Sequence, residues 1–346
     1  MAIEREELVS DCGKYRVVFG MPEDEYHKHP AFSSSGARDI LTSPLTFWAK
    51  SQMNPDREEE ETDAKDYGKA YHKLILEGRA AFEAAYAPAI DAADYPKHLK
   101  SGDQLKERCG ELGLPKHGKL SDMAARIRAV DKETPLYEEV IAAHEEKYPG
   151  RKFLTKKQWR TLELAWLALQ ASDAAPMLTG GYPEVSIFWV DAETGVECKA
   201  RIDYLKPNHI MDPKSFSNSQ ARPVLDCVGA SITNYKYPIQ GRMYIDGLEQ
   251  VLQHIADPRL GIKNGAVTFS FIFQESGAAP NIVPRDFVQY DESGKMNAYW
   301  VLAETRYRTA LDIYAFCKKK YGTEPWVQPS ERRALRDDDL PAYHFK

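Results

Sequence analysis

Asp203, Asp212 and Lys214 are the residues whose types and spacing could do chemistry. They fall in ECKARIDYLKPNHIMDPKSF, Glu197 to Phe216, which reads as two short strands joined by a turn. Side chains alternate along a strand. Asp212 and Lys214 therefore project from one face of the second strand, and Met211, Pro213 and Ser215 from the other. On the first strand Lys199, Arg201 and Asp203 share a face, opposite Cys198, Ala200 and Ile202. The connection YLKPNH is short enough to make the strands antiparallel neighbours, so Asp203 and Asp212 are expected side by side. Two carboxylates this close repel, and a hard divalent cation relieves the repulsion. Lys214 beside them can position or activate a water, or stabilise charge on a phosphate. A structural salt bridge between Lys214 and either aspartate accounts for the same spacing, because ion-pair networks also gather such groups. Pro213 is unusual in a buried strand, since its ring removes a ladder N–H. One ladder bond is expected to be lost there, with a kink or an unpaired edge.

The elements that must position these residues follow from periodicity and punctuation. SSSGARDILTSPLTFWAK offers Ser35 as the N-cap of one short helix, and Ser43 with Pro44 at the first helical position starts another. DAKDYGKAYHKLILEG is helical and ends at Gly78, a C-cap glycine. Residues 80–100, rich in Ala, Pro and Tyr, read as a connector. SGDQLKERCGELGLPKHGKLSDMAARIRAVDK reads as helix, GLP turn, helix, and helical patterns follow around Leu136–Lys147 and Thr155–Ala171. Strands begin at Glu184 with EVSIFWVD and continue through VECKARID and HIMDPKSF. An amphipathic helix starts near Pro238, with Ile239, Met243, Leu248, Leu252 and Ile255 at helical spacing. Gln240 and Tyr244, at i and i+4, share one of its faces. AVTFSFIF and RDFVQYD read as two more strands before a last helix from about Gly294 to Tyr321. The expected fold class is α/β, a mixed central sheet flanked by helices.

Composition sets the bounds. Of 346 residues, 43% are hydrophobic and 28% charged, as in ordinary globular proteins. No apolar run approaches the ~20 residues that would cross a membrane. The opening MAIEREELVSDCGKYR is too charged for a secretory signal. Five scattered cysteines without a CxxC argue for a reducing, cytoplasmic compartment and against structural zinc or an iron–sulfur cluster. A net charge of −6 leaves nucleic-acid binding open, since a basic groove can sit in an acidic exterior. The acidic run Arg57–Asp63 reads as a solvated loop leading into a helix.

The series of motifs resembles the RecE (exonuclease VIII) type of phage and prophage exonuclease, within the PD-(D/E)XK nuclease superfamily. HPAFSSSGARDILTSPLTFWAK is similar to that family's N-terminal helices, and YGKAYHKLILEG to its G-x-A-x-H-x-x-[LV]-L-E segment. EVSIFWVDAETGVECKARIDYL is similar to its paired strands, IMDPKSF to the strand bearing D-x-K, and YKYPIQGRMYIDG to its Q-x-x-x-Y helix. The resemblance implies a restriction-endonuclease-like sheet in which Asp203 and Asp212 ligate Mg²⁺ or Mn²⁺ and Lys214 orients the attacking water. It adds His72 as a metal ligand from the opposite side, although a lone helical histidine is ordinarily a packed or surface residue. It places Glu184 at an often acidic position, and Gln240 and Tyr244 along the DNA channel. Pro213 departs from the family's usual Val, Leu, Ile or Phe; the carbonyl that binds metal in many such nucleases survives the substitution.

LKERCGELGLPKHGKLSDMAARI further resembles a SAP motif, a small helical DNA-binding module, set as an insert over residues 101–132 between nuclease-core parts 1–100 and 133–346. Leu105, Leu112, Leu114, Met123 and Ile127 would form its core. Lys116, Lys119 and Arg126, with Lys106, Arg108, His117 and Arg128, would contact phosphates. A helical hairpin used for packing is the plainer account. Together these resemblances imply a Mg²⁺-dependent exodeoxyribonuclease that degrades linear double-stranded DNA 5′→3′ to leave a 3′ overhang for recombination. A RecT-like single-strand annealing protein is the implied partner and a ring-shaped homo-oligomer the implied assembly, in a bacterial host. The alternatives are a PD-(D/E)XK endonuclease or repair nuclease, or a catalytically inactive DNA-end-binding protein.

Overall fold

A computed structural model describes residues 4–58, 62–329, 334–336 and 339 of the chain. Most of the acidic run, residues 59–61, therefore lies outside the described residues. From the N-terminus, β1 (Glu6–Val9) and β2 (Arg16–Phe19) form a hairpin. Four helices follow: α1 (Glu23–Lys28), α2 (Ser34–Ile40), α3 (Pro44–Lys50) and α4 (Asp63–Ala85). Then come β3 (Tyr86–Pro88), α5 (Gly102–Glu111), α6 (Leu120–Val130), α7 (Tyr137–Lys147), β4 (Lys152–Leu154) and α8 (Lys156–Gln170). The C-terminal half holds β5 (Tyr182–Val190), β6 (Glu197–Lys206), β7 (His209–Ser217), α9 (Val224–Asn234), α10 (Tyr237–His254), β8 (Thr268–Ser276), β9 (Ile282–Asp286) and α11 (Ala298–Tyr321).

The central sheet has seven strands in the order β1-β2-β5-β6-β7-β8-β9. Every ladder in it is antiparallel except β7–β8, which is parallel and is bridged by the α9–α10 crossover. The fold is thus the mixed α/β sheet flanked by helices that the sequence implied. On one face α10, α11 and α2 cover the main core, built on Val185, Ile187, Ala200 and Phe271 among others. On the other face α4 and α8 cover Met211 and Ile272, and α1 covers Val18 and Phe188. Between α1 and α4 the face over β6 stays open as a cleft.

Local chemistry starts the helices where expected in most cases. Ser43 caps α3 with Pro44 behind it, and Ser101–Gln104 and Thr155–Gln158 form capping boxes for α5 and α8. Three expectations are corrected. The cap of α2 is Ser33, whose Oγ accepts from the Gly36 N–H, rather than Ser35. Residues 80–100 are more than a connector: α4 breaks at Gly78 (φ 85°), resumes to Ala85, and runs into β3, which pairs with β4. The last strand is Ile282–Asp286 rather than RDFVQYD, because Phe287 turns inward to the core and stacks on Trp300. The β1–β2 hairpin and α9 carried no signal strong enough to be read.

α10 approaches β5 closely at Gly247. A Cβ there would fall 2.6–2.9 Å from three ring atoms of Trp189, which is itself 1% exposed. Gly247→Ala is expected to destabilise the protein by about 1–3 kcal/mol through overpacking. Gly229→Ala, exposed in α9 with nothing within 4 Å of the new methyl, is expected to stabilise it by about 0.5–1 kcal/mol. Urea denaturation checks both; equal midpoints for the two variants would contradict this packing.

Candidate metal centre

The site begins where two strands part. β6 and β7 pair at Lys206–His209, Leu205–Ile210 and Tyr204–Met211, and the ladder stops there. The next residues in register are Asp203 and Asp212, which stand at the mouth of the fork. Pro213 lies just inside it, in parallel register with Ile272 of β8, and its carbonyl meets the His72 ring. In an extended strand a residue's N–H and C=O point to the same side. The N–H that proline lacks would therefore have faced the open fork, and no ladder bond is lost.

A change of phase in both neighbouring strands aims the carboxylates. On β6, Ala200 and Ile202 pack into the main core, yet so does Leu205, while Tyr204 packs into the opposite cluster. On β5, Val185 and Ile187 face the main core on one side of Glu184, and Tyr182 packs against it on the other. Glu184 itself sits at φ 57°, a left-handed conformation that costs a non-glycine residue about 1–2 kcal/mol. The slip brings Glu184 and Asp203 opposite each other without ladder pairing. His72 reaches in from α4, and ligand atoms of His72, Glu184 and Asp203 all lie within 4.8 Å of one another.

Asp212 and Lys214 enter from the α10 side. Lys214 Nζ lies 2.7 Å from Asp212 Oδ2 and 3.9 Å from Asp203 Oδ2. Gln240 Nε2 donates to Asp212 Oδ1 at 2.9 Å, so Gln240 orients a carboxylate. Tyr244 is buried at the cleft wall, and burial pushes its hydroxyl up to about 12. The five sequence candidates His72, Glu184, Asp203, Asp212 and Lys214 thus converge, with Gln240 and Tyr244 behind them.

Burial pushes both aspartates up, Asp203 to about 6 with Glu184 adding to it, and Asp212 to about 7 with Asp203 adding to it; Lys214 opposes both shifts. Burial works against the charge of Lys214, but Asp212 and Asp203 outweigh it and raise its pKa. His72 is shifted the other way, down, by burial and then by Lys214, which favours the neutral imidazole. Oδ2 of Asp212 takes Lys214 Nζ at 2.7 Å, whereas Oδ2 of Asp203 is buried without a hydrogen bond, Lys214 Nζ and His72 Nδ1 lying 3.9 and 3.8 Å away. An orphaned carboxylate oxygen beside a neutral imidazole and further carboxylates fits a hard divalent cation. Among the described residues, the group of His72, Glu184 and Asp203 is the one arranged to share such an ion, with Asp212 and the Pro213 carbonyl adjoining.

Two cations on β6 had no assigned role in the sequence reading. Arg201 pairs with Glu184 and donates to the Met21 carbonyl. Lys199, 5% exposed, donates to the carbonyls of Tyr26 and His29 at 2.7 Å each, and burial brings its pKa down to about 8. Both tie the segment leading from β2 through α1 to the sheet and so form one wall of the cleft, which encloses about 1350 Å³. Their signal was visible as two cations alternating with buried residues on one strand.

The hairpin of α5 and α6 lies apart from this cleft chemistry. Leu105, Met123 and Ile127 cluster with Cys109, Ala124 and Leu136, with Leu112 and Leu114 against them. Its base is closed by Leu99, whose N–H donates to Pro135 and whose carbonyl accepts from Tyr137. Lys116 and Lys119 are exposed. Arg126 instead spends its guanidinium on the carbonyls of Pro115, His117 and Asp122, clamping the turn. Arg108 likewise pairs within the hairpin unit, with Asp131, and Arg128 pairs outward with Glu139 of α7.

The raised carboxylates predict a pH signature. Between the ordinary aspartate range and about pH 7 the folded protein binds more protons than the unfolded chain, so this pair's contribution to stability falls as pH rises through that window. Without divalent ions, wild type should lose thermal stability from pH 5 to pH 8 relative to Asp212→Asn. Added Mg²⁺ or Mn²⁺ should raise the wild-type melting temperature more at pH 8 than at pH 5. Equal gains at both pH values would count against a cation between these carboxylates.

Comparison with known proteins follows the same lines. The model of a family described as a PDDEXK-like domain of unknown function (DUF3799) matches residues 33–260. That span contains every residue of the centre. A crystal structure from Eubacterium rectale named "putative exonuclease" is similar, at 12% sequence identity and a TM-score of 0.48, over 92% of this chain and 96% of that one. No curated protein matches the sequence. Since the family match takes in well over half of the chain, the protein belongs to the PDDEXK-like family DUF3799, within the PD-(D/E)XK nuclease superfamily.

Proposed function

We propose that the protein is a Mg²⁺-dependent exodeoxyribonuclease, Mn²⁺ substituting, that degrades linear double-stranded DNA 5′→3′ and leaves 3′ single-stranded overhangs. The observation that carries the nuclease reading is the convergence of three carboxylates, an imidazole and a charged lysine in the β6–β7 fork, at the floor of a cleft. The exonuclease mode, the polarity, a RecT-like annealing partner, a ring-shaped assembly and a phage or prophage setting rest on the RecE resemblance of the motif series.

The residues divide the work by their charge states. His72, Glu184, Asp203, Asp212 and the Pro213 carbonyl would hold the cation. When bound, a divalent cation supplies Lewis acidity toward a phosphoryl oxygen and lowers the pKa of water. Lys214, held charged by the two aspartates, is a donor and cannot serve as a base; it orients a water or stabilises negative charge growing on the phosphate. Gln240 keeps Asp212 facing the fork. Arg201 holds the Glu184 carboxylate, an outer partner of the kind that tunes ligand orientation.

Incubation with Mg²⁺ and plasmid DNA tests the activity. Linear plasmid should be consumed and the closed circle spared; cleavage of the circle would make the protein an endonuclease, and no cleavage of either would leave a DNA-end-binding protein. Asp212→Ala should lower the rate by roughly a hundred- to a thousandfold or more. Lys214→Arg should lose most activity yet still bind Mn²⁺ by calorimetry, since arginine keeps the charge but not the compact ammonium. Loss of Mn²⁺ binding would make Lys214 a structural partner.

The hairpin is proposed as an auxiliary, sequence-independent grip on the DNA backbone. Replacing residues 99–136, the unit closed at Leu99 and Leu136, with a short Gly/Ser bridge should leave a folded nuclease that cuts nearly normally at low salt. Its activity should begin to fall at a lower salt concentration than wild type, because binding is weaker, while the dependence of log K on log salt becomes shallower. Neutralising Lys116 and Lys119 should reproduce part of this; Arg126 is left intact because its loss would open the turn. A deletion inactive at every salt concentration would place the hairpin in the nuclease core.

A further inference from the structure

The junction between α9 and α10 carries a feature that the centre does not use. α9 ends at Asn234 and α10 begins at Tyr237, with Lys236 between them at φ 53°, ψ 39°. Residues other than glycine seldom adopt this left-handed conformation. Its effect is geometric. Residues two apart on a helix point away from each other, yet here the rings of Tyr235 and Tyr237 stack, with centroids 5.4 Å apart and planes at 23°. Tyr237 is buried, and its ring centre lies 5.3 Å from Lys214 Nζ. Tyr235 is 58% exposed. The pair therefore runs from the lysine of the fork outward to solvent, ending in an open aromatic face on the cleft wall.

One cation flanks that face and another adjoins it in the chain. Arg38 of α2 donates to the Tyr235 carbonyl at 3.0 Å, fixing the junction to the helix opposite. Arg38 lines the cleft, and Lys236 is the neighbour of both rings in the chain. Among the described residues no carboxylate pairs with either side chain. An uncovered ring near two cations that no carboxylate neutralises is the chemistry that receives a base and its phosphate: every base offers a π-face, and stacking on an aromatic side chain is indifferent to sequence.

We propose that the outer face of Tyr235 is a nucleobase-stacking subsite, holding a base roughly one or two nucleotides from the phosphate bound at Lys214. This rests on the nuclease reading and adds a substrate contact to it. Tyr235 fixes where along the strand the phosphate falls, and Arg38 and Lys236 contact the backbone of the stacked nucleotide. Lys236 in its left-handed conformation is the positioning element.

The test is a binding measurement on the full chain with divalent ions chelated, so that no cleavage occurs. The probes are fluorescently labelled linear duplexes in which one abasic nucleotide is stepped through the terminal positions of a strand. Wild type should lose about tenfold in affinity when the abasic nucleotide occupies one particular position. Tyr235→Ala should bind the intact duplex about tenfold more weakly and lose nothing further at that position, while Tyr235→Phe and Tyr235→Trp keep the wild-type pattern. Unchanged affinity for Tyr235→Ala overturns the subsite. So does a loss that adds in full to every abasic loss, which would mean that the side chain acts through the fold. A flat abasic scan in wild type overturns it independently of any variant. If wild type binds no duplex while remaining folded, the nuclease reading falls and the subsite with it, an outcome separate from the other three.

Discussion

Two carboxylates that must share a buried space are the constraint on which this structure turns. Asp203 and Asp212 stand close enough to share a proton, and burial alone drives both toward the protonated form. A protein that kept them only for stability would do better with apolar residues of similar volume. Around them the fold has made room and supplied compensation. The β6–β7 ladder opens to admit them, Gln240 and Lys214 take the two oxygens of Asp212, and Oδ2 of Asp203 is left without a donor. The strain at Glu184 belongs to the same arrangement, since the change of phase it allows carries a third acid to the edge of the fork.

The centre was legible in the sequence to the extent that spacing implies geometry. D-(8 residues)-D-x-K with a short turn forces two acids of adjacent strands together, and the structure brings Asp203, Asp212 and Lys214 to one place. His72 and Glu184 could be named only through resemblance, because a single histidine on a helix and a single acid on a strand have no local pattern that distinguishes them. What simple alternation could not reveal was the change of phase at Glu184 and Asp203. A period-2 reading assigns Asp203 to the face of Lys199 and Arg201, whereas the backbone turns there and delivers the carboxylate into the fork. The four-residue strands of the first hairpin were missed for the opposite reason: they are too short for any periodicity to register. RDFVQYD was misread because alternation cannot distinguish an edge strand from a chain that dives into the core at Phe287.

The basic residues divide into those that hold the protein together and those left to meet something else. Lys199 and Arg201 alternate on one strand beside the cleft, but their donors are committed to carbonyls of the neighbouring segment and to Glu184. Arg126 is committed to its own turn in the same way. A count of cations along a chain therefore overstates the number that can reach a ligand, and hydrogen-bond accounting decides which remain. Lys116 and Lys119 on the hairpin are among those that remain, and Arg38 in the cleft gives one donor to the Tyr235 carbonyl and keeps the rest of its guanidinium.

The lone parallel ladder in the sheet has a consequence for how the molecule comes into being. Antiparallel neighbours joined by short turns can meet early, but β7 and β8 are separated by all of α9 and α10 and must close a long loop before they pair. Gln240 belongs to that loop, and His72 comes from a helix near the start of the chain. No contiguous fragment shorter than residues 72–240, about half of the polypeptide, contains the full set of groups. The carboxylates gain Gln240 and His72 only once the α9–α10 crossover and α4 have docked on the sheet, so competence for chemistry depends on long-range packing.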